Sequence, residues 1–214
     1  MSDISGSSAK QRKAPGLSLR WIKVAIFIAS CLPFVWLVIS VVTGSIGANP
    51  VEGIEHATGE WALRFLLLSL CATPLAQYLR WAWATRVRRM IGLFAFFYVF
   101  LHVLTYLWLD HFWVWRDIFL EVLEKPFITV GFLSLLILIP MALTSNRFAV
   151  KRLGKRWKML HKWVYFATVF AVLHFVWLAK GDQIEPIIYL AILLVLLVLR
   201  LPSLLRGSGS SGVA

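Results

Sequence analysis

The chain of 214 residues is 60% hydrophobic and has a mean hydropathy of +0.78. A soluble domain cannot bury this much apolar surface, so the composition excludes an ordinary soluble protein and indicates a polytopic helical membrane protein. The net charge of +12 does not indicate a nucleic-acid partner, because the basic residues lie between apolar stretches, where they report membrane topology.

Six apolar stretches follow one another along the chain, each free of charge over most of its length. A helix needs roughly 20 apolar residues to cross the hydrocarbon core, and the shorter stretches reach this length with end residues whose charges extend to the interface. The predicted fold is therefore all-α, a polytopic bundle of six transmembrane helices near 22–43, 61–79, 91–110, 127–145, 161–179 and 185–201.

The placement of charge predicts the orientation of this bundle. Most of the 22 Lys and Arg residues lie in the N-terminal segment, the second and fourth connections and the C-terminal tail, whereas nearly all acidic residues lie in the other connections. Basic residues favour the cytoplasmic side of a membrane, so both termini are predicted to be cytoplasmic. Residues 20–202 form the predicted transmembrane domain, and the polar ends 1–19 and 203–214 are predicted to be disordered.

Three histidines lie inside or at the edge of predicted spans: His102, His161 and His174. An imidazole in lipid is costly and indicates a functional site, and neutral imidazole is a common axial ligand of haem iron. Counted along their helices at ~1.5 Å per residue, His102 and His174 lie at one depth, roughly 18–20 Å from the cytoplasmic edge. This predicts that they ligate one haem together; the alternative is that they only hydrogen-bond across helices.

His161 lies near the cytoplasmic interface and has no histidine partner at its depth. The corresponding positions on the third helix are Arg88 and Arg89, so a symmetric second bis-histidine haem is not predicted. His161 could ligate a haem with a different partner or line a quinone or flavin site. Arg88, Arg89 and Arg156 belong to a basic face that could hold an anionic flavin phosphate or dock an electron donor, or could serve topology alone.

Three segments together resemble a known family. They are TGEWALRFLLLSLCATPL at 58–75, RRMIGLFAFFYVFLHVLTY at 88–106 and LTSNRFAVKRLGKRWKMLHKWVYFATVFAVLHFVWL at 143–178. They resemble, in the same order, the MsrQ (formerly YedZ) family, the haem-binding membrane subunit of the periplasmic protein-methionine-sulfoxide reductase system. That family lies within the wider ferric-reductase-like transmembrane group.

The resemblance implies cofactors and partners. It implies b-type haem and FMN, with electrons drawn from the respiratory quinone pool or a cytosolic flavin reductase. The electrons would pass across the bacterial inner membrane to a periplasmic molybdopterin subunit, MsrP, which repairs oxidised methionines in periplasmic proteins. The family's membrane histidines correspond to His102, His161 and His174, and catalytic sulfoxide reduction is expected on the partner.

Two alternatives stay open at this point. One is a stand-alone transmembrane ferric or cupric reductase, which the absence of a recognisable nicotinamide domain disfavours. The other, from a different class, is a transporter or assembly subunit with structural histidines, which predicts no visible chromophore in the purified protein.

Overall fold

The computed structural model describes residues 19–179 and 184–208, with side chains described up to residue 200. This part of the chain is helical and contains no strand, which confirms the all-α fold class. A π-helical turn, Tyr106–Asp110, extends the third helix. The helices are α1 (Leu19–Val42), α2 (Pro50–Tyr78), α3 (Ala82–Thr105), α4 (Trp115–Glu124), α5 (Pro126–Leu143), α6 (Arg147–Leu153), α7 (Lys155–Lys162), α8 (Val164–Leu178) and α9 (Glu185–Ser208).

Four stretches among the described residues are long and apolar enough to cross a membrane. They are α1, α3 with its π-helical turn, α5, and α7 together with α8. Helix α2, which carries Glu55, Glu60 and Arg64 in its first half, is not among them, and neither is α9. The chain is therefore a membrane protein with spanning helices, while the six-span count and the cytoplasmic termini stay predictions.

Helix α2 begins at Pro50, about three turns before the start predicted from hydropathy. Asn49 caps it, because the side-chain oxygen lies 3.5 Å from the backbone nitrogen of Glu52. Pro50 takes the first helical position, where a missing N–H costs nothing. This early start carries α2 to the end of the bundle where α3 ends, in contact with the π-helical turn Tyr106–Asp110.

Two pairs of helices form the centre of the bundle, since α2 packs along α3 and α5 packs along α8. Leu66, Tyr98 and Val172 are among the side chains buried between them. The outward faces instead expose large apolar side chains, such as Trp36 and Leu143. Such a surface is stable only when it is covered, as lipid covers it in a membrane.

Buried hydrogen bonds join the helices across this core. The Tyr98 hydroxyl of α3 donates to the Ser30 carbonyl of α1 at 2.9 Å, and Ser134 of α5 donates to the Ala167 carbonyl of α8 at 2.8 Å. Helices that leave lipid to pack against one another gain no hydrophobic free energy. Hydrogen bonds between them therefore contribute to their association. They connect α1 to the α2–α3 pair and fix the register of α5 against α8.

Replacement of Tyr98 by Phe tests the bond between α1 and α3. Tyr98 is 1% exposed, so Tyr98→Phe removes a buried bond and should lower the free energy of unfolding by about 0.6 kcal/mol, the average for hydrogen bonds between membrane helices, and by at most about 1.7 kcal/mol. Tyr78→Phe is the control, because Tyr78 is 59% exposed and its bond to the Leu199 carbonyl is longer, at 3.3 Å. Unfolding in mixed micelles measures both; equal losses in the two variants would contradict the prediction.

Candidate functional site

His102 on α3 is held against the backbone of α2. Its Nδ1 lies 3.0 Å from the Glu55 carbonyl oxygen. A carbonyl only accepts, so Nδ1 donates and Nε2 keeps its lone pair. Gly59 lies one turn further along α2, and a Cβ added there would lie 3.3 Å from Nδ1 of His102. Because residues i and i+4 lie above one another on a helix face, the missing Cβ at Gly59 leaves the Glu55 carbonyl accessible to the imidazole.

His174 on α8 is held against α5 in the same way. Its Nδ1 lies 2.7 Å from the Phe127 carbonyl oxygen and therefore donates to it. Gly131 again lies four residues after the acceptor, and a Cβ there would lie 2.8 Å from Nδ1 of His174. The second imidazole thus also keeps Nε2 free and lies directly on a helix backbone.

The two arrangements repeat at a constant interval along the chain. The same 72 residues separate Glu55 from Phe127, Gly59 from Gly131 and His102 from His174. The α2–α3 pair and the α5–α8 pair therefore present their histidines from equivalent positions. Sequence reasoning found the histidines but not the carbonyls or glycines, although a glycine 43 residues before each histidine was a readable signal.

The rings of His102 and His174 lie close together. Their centroids are 6.3 Å apart and their planes are inclined at 74°. Both rings line a cavity of about 380 Å³, called the outer cavity below, between α2, α3, α5 and α8. Its other lining residues are mostly apolar and include Ala62, Leu63, Val99, Leu135, Ala171 and Phe175.

The geometry of these rings fits an axial pair on haem iron. Metal–imidazole bonds of roughly 2 Å, with roughly 1 Å from each nitrogen to its ring centre, give a centroid spacing of about 6 Å. Among the described residues, no three His, Cys, Asp or Glu side chains are grouped so that they could hold a metal ion. Two imidazoles in an apolar cavity suit an iron whose equatorial ligands come from a porphyrin.

His161 lies elsewhere, in a second cavity of about 420 Å³ called the inner cavity below. Its Nδ1 donates to the Trp157 carbonyl at 3.1 Å, and its ring stacks on the Trp157 indole with centroids 3.9 Å apart. Arg88 and Arg89 line the same cavity, as the sequence-based grouping requires. The structure does not bring Arg156 there, because that side chain is exposed and is not part of the lining.

The two cavities are neighbours. Leu66 of α2 and Leu138 of α5 line both, and these residues are also separated by 72 positions. The apolar side chains of this leucine pair therefore lie between the bis-imidazole cavity and the basic cavity. Of the three histidines, His102 and His174 line the outer cavity and His161 lines the inner one.

A polar cluster on α4 lies at the mouth of the outer cavity, and sequence reasoning did not single it out. Glu121 accepts a hydrogen bond from Lys125 at Oε1 (2.6 Å) and one from the Tyr106 hydroxyl at Oε2 (3.1 Å). His111 Nε2 lies 3.1 Å from the same Oε2. Partial burial acts to raise the pKa of Glu121, but the bonds from Lys125 and Tyr106 hold that pKa below its ordinary value. The cluster fastens α4 to the π-helical end of α3.

Comparison with known proteins gives one consistent result. The chain matches the family described as ferric reductase like transmembrane component over residues 58–172. It is 46% identical over 202 residues, 94% of both chains, to the heme-binding subunit MsrQ of protein-methionine-sulfoxide reductase from Rhodospirillum rubrum. It is 47% identical to the MsrQ of Herminiimonas arsenicoxydans, over 87% of this chain and 86% of that one, and 40% identical to that of Brucella ovis, over 94% and 90%. No solved structure matches the chain.

Replacement of Glu121 by Gln tests the attachment of α4. A lowered pKa means that ionised Glu121 stabilises the fold above its ordinary pKa of about 4.3, and that this contribution is lost as the pH falls through the folded-state value. Glu121→Gln should therefore speed amide exchange in residues 115–124 at neutral pH, relative to wild type, and the difference should vanish in acid. Glu124→Gln, on an exposed position of the same helix, is the control. A difference that persists in acid would contradict the prediction.

Proposed function

Because this chain belongs to the MsrQ family of haem-binding subunits of protein-methionine-sulfoxide reductase, within the ferric-reductase-like transmembrane group, we propose that it conducts electrons across the bacterial inner membrane. The electrons leave the chain for a periplasmic methionine sulfoxide reductase. Sulfoxide reduction itself takes place on that partner, so this chain contributes electron transfer and no catalytic residue of its own.

The observation that carries the proposal is the pair of imidazoles in the outer cavity. His102 and His174 present free Nε2 atoms from two helix pairs, with ring centroids 6.3 Å apart. These two histidines would hold a b-type haem, which would supply one-electron reduction and oxidation. The chain's residues supply the ligands, fix their tautomer through the Nδ1 bonds, and exclude water with an apolar lining.

The inner cavity suits the entry of electrons. Arg88 and Arg89 are cations at a cavity that also contains the aromatic rings of Trp157 and His161. Guanidinium groups bind phosphate in bidentate fashion, so the cavity is the proposed site of FMN. The respiratory quinone pool or a cytosolic flavin reductase is the proposed donor. Leu66 and Leu138 line both cavities, so the proposed FMN and haem sites are adjacent.

The outer mouth suits the exit of electrons. The carboxylates of Glu52, Asp110 and Glu121 line the outer cavity at this end, together with Lys125. The proposed acceptor is the molybdopterin subunit MsrP, which docks at this acidic periplasmic face. The accompanying topology has six transmembrane helices and cytoplasmic termini, with α2 and α9 as the two spans beyond the four most apolar ones.

Substitution of the histidines, followed by reduced-minus-oxidised spectra of detergent-purified protein, tests the haem site. His102→Ala and His174→Ala should each lose most of the b-type absorbance, because an axial ligand is removed. His161→Ala should keep that absorbance and slow reduction by a cytoplasmic donor, since His161 lies in the inner cavity. His56→Ala is the control: this half-exposed histidine also lines the outer cavity, and its replacement should leave both properties unchanged.

The haem content of the wild type and of these variants distinguishes the proposed function from its alternatives. A wild-type protein without b-type absorbance would overturn the proposal and favour a transporter or assembly subunit. Full haem content in both His102→Ala and His174→Ala would show that another pair of ligands holds the iron.

Reoxidation of the reduced protein tests the pathway. Haem reduced in the detergent-solubilised protein should be reoxidised when purified MsrP and a methionine sulfoxide peptide are added together. In the absence of oxygen the peptide alone should not reoxidise the haem, and MsrP alone should accept no more electrons than its own molybdenum centre can hold. Rapid reoxidation by ferric or cupric chelates, with none by the sulfoxide and MsrP, would instead favour a stand-alone metal reductase.

A further inference from the structure

Gly59 and Gly131 occupy helix interiors, where glycine is unfavourable relative to alanine. Their surroundings explain them. Each lies against an imidazole, with a hypothetical Cβ 3.3 Å from Nδ1 of His102 or 2.8 Å from Nδ1 of His174. Gly92 of α3 differs, because a Cβ there would make an ordinary contact of 3.6 Å with the Ser69 hydroxyl.

Each ring is restrained in two ways by the neighbouring helix. The carbonyl of Glu55 or Phe127 fixes the direction of the Nδ1–H bond. The bare backbone at the glycine, four residues later, determines how closely the ring approaches the helix. Rotation about the bond that joins ring to Cβ would break the hydrogen bond, so the plane of each ring is fixed by the helix it touches.

The two restraints produce rings inclined at 74°, which is close to perpendicular. The angle matters for a haem iron, because each axial imidazole interacts through its π orbital with the iron d orbital that its plane selects. Parallel rings act on one d orbital and separate its energy from the other, whereas perpendicular rings act on both. The g values of ferric iron and its ease of reduction therefore depend on this angle.

We propose that Glu55 with Gly59 and Phe127 with Gly131 are two matching positioning elements that hold the axial imidazoles of His102 and His174 near perpendicular, and thereby set the electronic state of the haem. The carbonyl, the glycine and the histidine all recur after 72 residues. This repetition indicates that the two contacts serve the same role and are not unrelated. The inference rests on the proposed haem function and adds the residues that tune it.

Alanine at each glycine is the first test. Gly131→Ala should change the largest g value in the low-temperature EPR spectrum of the oxidised protein and shift the midpoint potential, because at 2.8 Å the ring must rotate or move. Gly59→Ala should change both less, because 3.3 Å requires displacement by only a few tenths of an ångström. Gly92→Ala is the control for the g values alone, because Gly92 lines the inner cavity and lies against Ser69, not against an imidazole; it should keep wild-type g values. Wild-type g values in a haem-replete Gly59→Ala and Gly131→Ala would overturn the proposal.

A second test addresses the carbonyl and avoids crowding the backbone. In His174→Gly, added imidazole can replace the lost ring and donate N–H to the Phe127 carbonyl, whereas 1-methylimidazole cannot. Imidazole should restore near-wild-type g values, and 1-methylimidazole should give a haem with different ones. Identical g values with both ligands would overturn the role of the carbonyl. Absence of haem from the wild type would refute the proposed function itself, which separates the two failures.

Discussion

The bonds from Nδ1 of His102 and His174 to backbone carbonyls are the constraint on which the rest of the site depends. A buried imidazole without a partner is costly in an apolar environment, and a helix carbonyl is an unusual partner because a side chain one turn later normally covers it. Glycine at that next turn removes the cover. The absence of one Cβ therefore gives the Nδ1–H group of the ring a hydrogen-bond acceptor, which selects the tautomer of the imidazole. It also brings two helices into close contact.

This constraint also accounts for the pairing of helices. Each histidine bonds outside its own helix, His102 to α2 and His174 to α5. The bundle centre is accordingly built from two such pairs, which meet where α3 packs against α5 and where α2 packs against α8. The same 72-residue interval that relates the outer ligands places Arg89 opposite His161 in the inner cavity. The repeat thus yields two different sites, one with two imidazoles and one with an imidazole and guanidinium groups.

Much of this arrangement could be predicted from sequence, because membrane depth follows from helical rise and hydropathy alone. The equal depth of His102 and His174 was derived in that way, and the rings do lie side by side. The start of α2 was missed because Glu52, Glu55 and Glu60 resemble a loop, although Asn49 and Pro50 form a recognisable cap. The carbonyl acceptors could not be identified, since a backbone atom has no residue type and its accessibility depends on a neighbouring helix.

In the proposed orientation, the fixed charges of the two cavities and the membrane potential act on electron transfer in opposite directions. Carboxylates at the mouth of the outer cavity favour the oxidised, more positive state of a haem there, which makes it a stronger reductant for a periplasmic partner. The arginines of the inner cavity favour a reduced, more negative group, so these fixed charges alone oppose outward transfer. The membrane potential, negative inside, contributes up to about 2.3 kcal/mol per electron for each 100 mV crossed and acts outward. Placement of the imidazole pair in the outer half of the bundle therefore lets most of that potential assist the transfer before the electron leaves the chain.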